Sequence, residues 1–128
     1  MQALFNPLSM ALIGASNDEH KAGGMFLKSL IEEKFKGKLY PVNPREKKIM
    51  SLKSYPDLTA VPGEVDLAVF AVPNRLIPSS MEDCVKKGVK YVVVHSAGFS
   101  EIGDEGLKLE AEMLRIAKKG GIRVIGPN

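Results

Sequence analysis

One cysteine, Cys84, stands among 128 residues. No internal disulfide can form, and a reducing cytoplasm is the expected compartment. His20 and His95 are the only histidines. With a single cysteine and no suitable spacing they make no metal site, so no metal is expected. No apolar run approaches the roughly 18 residues of a membrane span. Met1 to Ser9 has neither a basic n-region nor an apolar h-region, so no secretory signal is expected there. Internal repeats and low-complexity stretches are absent as well. The excess of one charge sign over the other is small: the net charge is +3 and the sequence pI about 9.0. That bias is too small and too scattered for nucleic acid, but it helps hold an anionic small molecule. The length suits one domain, 1–128, with a real core and not two.

What is present is alternation. Hydrophobic residues are 45% and charged residues 26%, an ordinary globular composition. Ala11 to Ile13 reads as a first strand. Leu27, Ile31 and Phe35 form the stripe of a first helix ending near Gly37. Lys38 to Val42 is a second strand. Ile49 to Pro62 is irregular, with room for one short strand. Leu67 to Val72 is a continuous apolar strand of the kind buried on both faces. Ile77, Met81, Cys84 and Val85 predict a second helix stopped at Gly88, with Pro78 in its first turn. Tyr91 to Val94 is another buried strand. Leu107, Ala111 and Leu114 mark a third helix ended by Gly120-Gly121. Ile122 to Ile125 is the last strand. Repeated strand and helix predict an α/β fold: a doubly wound parallel sheet with helices on both faces.

Ligands of such sheets bind beyond the carboxyl ends of the strands. Five ends can be read off: Gly14-Ala15-Ser16-Asn17, Asn43-Pro44-Arg45, Val72-Pro73-Asn74, Ser96-Ala97-Gly98-Phe99 and Gly126-Pro127-Asn128. All are small, polar or proline-containing, so a ligand can lie close to the backbone. The first leads through Lys21-Ala22-Gly23-Gly24 into a helix, a unit that turns N–H groups toward a phosphate. The second has a cation, Arg45, where a dinucleotide fold places an acid for a free ribose; a cation suits a phosphorylated ribose better.

These loops in this order resemble the CoA-binding domain of the ADP-forming acyl-CoA synthetases, related to the amino-terminal domain of the succinyl-CoA synthetase alpha subunit. The matching stretches are Ile13-Gly14-Ala15-Ser16, Tyr40 to Arg45, Asp66-Leu67-Ala68 through Val72-Pro73, Ser96 to Glu101 and Ile125-Gly126-Pro127-Asn128. The resemblance implies a Rossmann-like fold that binds CoA or acyl-CoA. It implies that Gly14, Ala15, Ser16, Asn17 and Lys21 hold the phosphates and that Asn43, Pro44 and Arg45 lie near the adenosine end. Val72, Pro73, Ser96, Ala97 and Gly98 would line the nucleotide and pantetheine path. Lysine is frequent in the family where this chain has Arg45, so the charge is kept. The family's chain runs on past Gly-Pro-Asn, and its phosphorylated histidine and nucleotide-grasp domain have no counterpart here. The chain is therefore expected to be one module of a larger ligase, inactive alone, with the remaining domains or subunits as partners.

Plainer readings apply to several residues. Gly14-Ala15-Ser16 is equally a tight strand–helix turn. Lys47 and Lys48 read as a solvated charge run. His95 reads as a structural histidine, and Cys84 as core and not a nucleophile. Asp104 and Glu105 are carboxylates favourable to a helix start, and Glu101 has the same reading. No nucleophile–base pair is visible, so no catalytic residue is assigned. Two rival functions stand beside the first: an NAD(P)-binding domain, and a non-enzymatic CoA-sensing module such as one fused to an acetyltransferase. Against the NAD(P) domain, the glycines do not follow G-x-G-x-x-G and no acid ends the second strand.

Overall fold

The computed structural model describes residues 6–95 and 103–125. Strand β1, Ser9–Ile13, is buried at every position. Its residues alternate between two cores. Ala11 and Ile13 point into one, and Met10 and Leu12 into the other. That is why its apolar run is unbroken and not alternating. Strand β2, Lys38–Val42, pairs parallel to one side of β1, from Ser9 opposite Lys38 to Ile13 opposite Val42. Strand β5, Leu67–Phe70, pairs parallel to the other side, from Met10 opposite Leu67. Strands β6, Tyr91–Val94, and β7, Arg123–Ile125, extend the sheet in the same sense. The order is β2-β1-β5-β6-β7. The chain first steps to one side of β1 and then to the other, so a topological switch point lies between β1 and β5.

Helix α1, Ala22–Glu32, covers one face; α2, Ile77–Lys87, and α3, Gly103–Gly120, cover the other. The doubly wound α/β expectation therefore holds. Phe70, fully buried in the centre, packs with Ile77, Met81, Cys84 and Met113 beneath α2 and α3. On the α1 side, Leu27 meets Leu12 and Val69. Among the described residues no helix is long and apolar enough to cross a membrane.

Four expectations need correction. The first helix ends at Glu32, not near Gly37, and Ile31 is 39% exposed. Lys34 takes a positive φ of 56°. The N–H groups of Lys34 and Phe35 then turn back to the carbonyls of Ile31 and Leu30, both at 3.0 Å. This Schellman turn returns Phe35 to the core although it lies outside the helix. The buried face is Gly23, Gly24 and Leu27, with Phe26 and Leu30 half-buried.

The third helix presents a different stripe. Leu107 and Leu114 are 49% and 48% exposed, while Gly106, Met113, Ile116 and Ala117 are buried. Both sets have helical spacing, but the second, with Leu109, offers a wider apolar face to the sheet and wins. Met113→Ala is accordingly expected to cost about 2–5 kcal/mol. Leu114→Ala should stay within about 0.5 kcal/mol. Urea unfolding of both variants checks this, and similar losses would contradict the packing.

The segment after β2 holds two short strands, not one. Strands β3, Lys48–Ile49, and β4, Leu52–Lys53, form a hairpin whose Ile49 is buried on the α1 side. Tyr55 then bridges Val42 in parallel register. A 3-10 turn at Leu58–Ala60 drops Leu58 into the opposite core. The chain thus wraps around the β2 edge of the sheet. In β6, Tyr91 and Val93 are only half-buried; α1 packs on Leu12 and Val69 further along the same face.

Candidate functional site

At the switch point the backbones of β1 and β5 leave almost no room. Gly14 has φ +93°. A Cβ on it would overlap the Ala71 carbonyl and lie 2.9 Å from Val72 Cγ1. The N–H groups of Gly14 and Ala15 both donate to the Val42 carbonyl, at 3.0 and 3.3 Å. The loop is thereby fastened to β2 as well. Gly23, in the first turn of α1, has the same constraint: its Cβ would overlap the Gly14 carbonyl. Helix α1 therefore begins tight against this loop. Its N-cap residue, Lys21, makes no side-chain capping bond, and no carboxylate lies in the first turn. Such a helix start favours an anion.

A cleft of about 190 Å³ opens over the carboxyl ends of β1, β2 and β5. Its apolar wall is Ile13, Val42, Leu58, Val72 and Leu76. Gly14, Asn43, Pro44, Pro56, Asp57, Ser79, Ser80 and Asp83 complete its lining. The two carboxylates differ. Asp57 accepts hydrogen bonds from the Thr59 hydroxyl and, at 3.0 Å, from the Ala60 N–H. The Thr59 bond holds its carboxyl below the usual carboxylate range. Asp83 is raised, first by burial and then by the Asp57 charge. A wall with these carboxylates repels phosphate. It accepts a flat, largely apolar group that carries N–H donors. The site therefore has two parts: an apolar, carboxylate-flanked cleft, and the loop before α1, where Lys21 and Arg45 are exposed while Glu19 is paired with Lys28 and Asp18 accepts from the His20 N–H.

Of the residues named from the sequence, Gly14, Asn43, Pro44 and Val72 meet at the cleft. Ala15 is buried with its methyl in the α1-side core, and its carbonyl accepts from Asn43 Nδ2 at 2.8 Å. The half-buried Ser16 hydroxyl accepts from the Asp18 N–H at 3.0 Å. Asn17, Lys21, Arg45 and Pro73 are exposed. The Arg45 N–H donates to Asn43 Oδ1 at 2.8 Å, which caps the turn out of β2. The side chain of Asn17 is engaged with the β3–β4 hairpin. Ser96, Ala97 and Gly98 lie outside the described residues.

The sequence reading missed Asp57, Leu58, Leu76, Ser79, Ser80 and Asp83. Ser79 and Ser80 had a signal, polar residues in the helix start directly after Val72-Pro73; Asp57 and Leu58 sit in the stretch read as irregular. Cys84 is fully buried and its thiol is pushed up by burial, so it is core as expected. His95 differs from expectation. Its backbone N–H continues the sheet to the Phe70 carbonyl at 2.8 Å, but the residue is exposed, its ring 6.3 Å from that of Phe26. Among the described residues no group of three or more His, Cys, Asp or Glu could hold a metal ion.

Comparison with known proteins agrees with this architecture. The family model described as "CoA binding domain" matches residues 8–128. An ADP-forming acetate–CoA ligase II of Archaeoglobus fulgidus is 47% identical over 100% of this chain, which covers 19% of that protein. The alpha subunit of ADP-forming acetate–CoA ligase II of Pyrococcus furiosus is 48% identical over 97% of this chain, which covers 27% of the subunit. The chain thus spans only a fifth to about a quarter of the relatives it matches. An acetyl-coenzyme A synthetase 1 of Ca. Korarchaeum cryptofilum, solved with phosphate and ADP, superposes with a TM-score of 0.92 and 46% identity. It matches 99% of this chain and 27% of its own length. With a glycine-lined switch point, a parallel sheet wound on both faces and a family match over nearly its whole length, the chain belongs to the CoA-binding domain family.

Proposed function

We propose that this chain binds CoA or acyl-CoA as a module of an ADP-forming acyl-CoA ligase, and that residues 1–128 form a single CoA-binding domain. The parent reaction is acid + ATP + CoA going reversibly to acyl-CoA + ADP + phosphate. The observation that carries this reading is the divided site: an apolar, carboxylate-flanked cleft at the switch point beside an uncapped helix start. The adenine enters the cleft between Val72, Leu76 and Pro44, with its amino group toward the Asp57 and Asp83 side. The pyrophosphate crosses Gly14, Ser16 and the start of α1, where Lys21 adds charge. Arg45 takes the phosphate on the ribose. Pro73 borders the pantetheine path. Gly14 is needed there because a Cβ would overlap the Ala71 carbonyl and part β1 from β5 beneath the ligand.

The chain's role is to bind and orient CoA. Other domains or subunits of the ligase would supply the phosphate-accepting group and the ATP site. The identities of 47% and 48% with ligases that are much longer support this division. The single buried cysteine fits a cytoplasmic enzyme. An NAD site is less well matched, because the chain leaves β2 through Asn43-Pro44-Arg45, a cation where an acid would meet a free ribose.

The reading is tested by titrating isotope-labelled protein with CoA and following backbone amide resonances. Gly14, Ser16, Gly23, Asn43 and Val72 are expected to shift in one saturable process. Resonances of the last turns of α2 and α3, at the opposite edge of the sheet, should stay in place. Shifts confined to that opposite edge would contradict the proposal.

A further inference from the structure

The β3–β4 hairpin turns through Met50 and Ser51, with φ 48° and 68°. Two positive φ values are what a two-residue hairpin turn of type I′ requires, and Asn-Gly is the pair that adopts it readily. Met-Ser does not, so this turn needs support from outside itself. Asn17 gives it. Its Nδ2 donates to the Lys48 carbonyl at 3.2 Å, and its Oδ1 accepts from the Met50 N–H at 2.8 Å. These bonds join residues 31 and 33 positions apart in sequence. The short span Arg45-Glu46-Lys47 is consequently pinned at both ends. Asn43 Oδ1 holds the Arg45 N–H, and Asn17 holds the carbonyl of Lys48 just beyond. Asn43 is itself tied to the same loop through the Ala15 carbonyl.

We propose that Asn17 is a positioning residue. Its side-chain amide clamps the hairpin to the loop after β1 and so fixes where the Arg45 span presents its charge to an anionic ligand. It acts through the hairpin and not by touching the ligand. The proposal rests on the coenzyme A reading, with the ribose phosphate at Arg45.

Calorimetry of the whole chain with CoA and with dephospho-CoA tests it, on the wild type, Asn17→Ala, and Asn17→Ala combined with Ser51→Gly. Ser51 is exposed, and glycine takes its φ without strain, so the second change restores the turn without the clamp. Asn17→Ala should lose about fivefold in affinity for CoA, the worth of about one net hydrogen bond, and less than about twofold for dephospho-CoA. The double variant should recover most of the loss. A wild type that binds neither ligand would overturn the coenzyme A reading beneath the proposal. The clamp alone is overturned by equal affinity of the wild type for both ligands, by no change in Asn17→Ala, or by equal losses that Ser51→Gly leaves in place. Those equal losses would mean that Asn17 touches a part common to both ligands.

Discussion

Gly14→Ala is expected to lose about 2–5 kcal/mol of stability and all measurable CoA binding. Two costs add. A non-glycine residue at φ +93° is strained, by roughly 1–2 kcal/mol. The added methyl also overlaps the Ala71 carbonyl and crowds Val72 Cγ1 at 2.9 Å, an overpacking of about 1–3 kcal/mol. Ala71 cannot give way cheaply, since its N–H is bonded to the Ile13 carbonyl at 2.8 Å. Relief has to come from parting β1 and β5, which is where the cleft lies. Gly88→Ala is the control. Its φ is +82°, but nothing lies within 4 Å of its Cβ, so only the conformational cost of about 1 kcal/mol applies. Urea unfolding of both variants measures the difference. Equal losses would show that the close approach at the switch point carries no energy.

Arg45→Ala is expected to weaken CoA more than dephospho-CoA. The two ligands differ by the 3′-phosphate, and the end of β2 is where this type of fold handles the ribose. A guanidinium can give that phosphate two charge-assisted hydrogen bonds, about 1.5–3 kcal/mol each in a sheltered site. Arg45 is exposed, so the difference shrinks to about 1 kcal/mol, still several-fold in affinity. Lys48→Ala controls for general charge and should lower both ligands slightly and alike. Calorimetry on the variants decides it. Equal losses for both ligands with Arg45→Ala, or a larger loss with Lys48→Ala, would put the phosphate at another loop.

The strands and the switch point were legible because both report a local requirement. A strand buried on two faces has to be apolar or fully hydrogen-bonded: β5 is apolar throughout, and β1 is apolar from Met10 on, its buried Ser9 hydroxyl being bonded to Glu64 and Asp66. A strand end that admits no Cβ has to be glycine, as at Gly14. Helix faces were less legible. In α3 two stripes have the same spacing, and only the sheet beneath decides that Met113 is covered and Leu114 is not. In α1 the stripe runs on to Phe35 through a Schellman turn, so periodicity overshot the helix. Half of the cleft was hidden for another reason. Asp57 and Leu58 come from a segment of two-residue strands and a single 3-10 turn, elements too short to show a period. The family resemblance implies that Asn17 is a phosphate contact. Its side chain is bonded to a hairpin more than thirty residues away, a pairing no local pattern contains.

The central claim is that this domain takes CoA at the switch point and not a nicotinamide dinucleotide. Calorimetric titration of the unmodified chain with CoA, dephospho-CoA, NAD and NADP tests it most directly. The divided site, with Arg45 just beyond the end of β2 and no acid there, predicts CoA as the tightest ligand, dephospho-CoA several-fold weaker and NAD the weakest of the four. NAD binding more tightly than CoA would contradict the account.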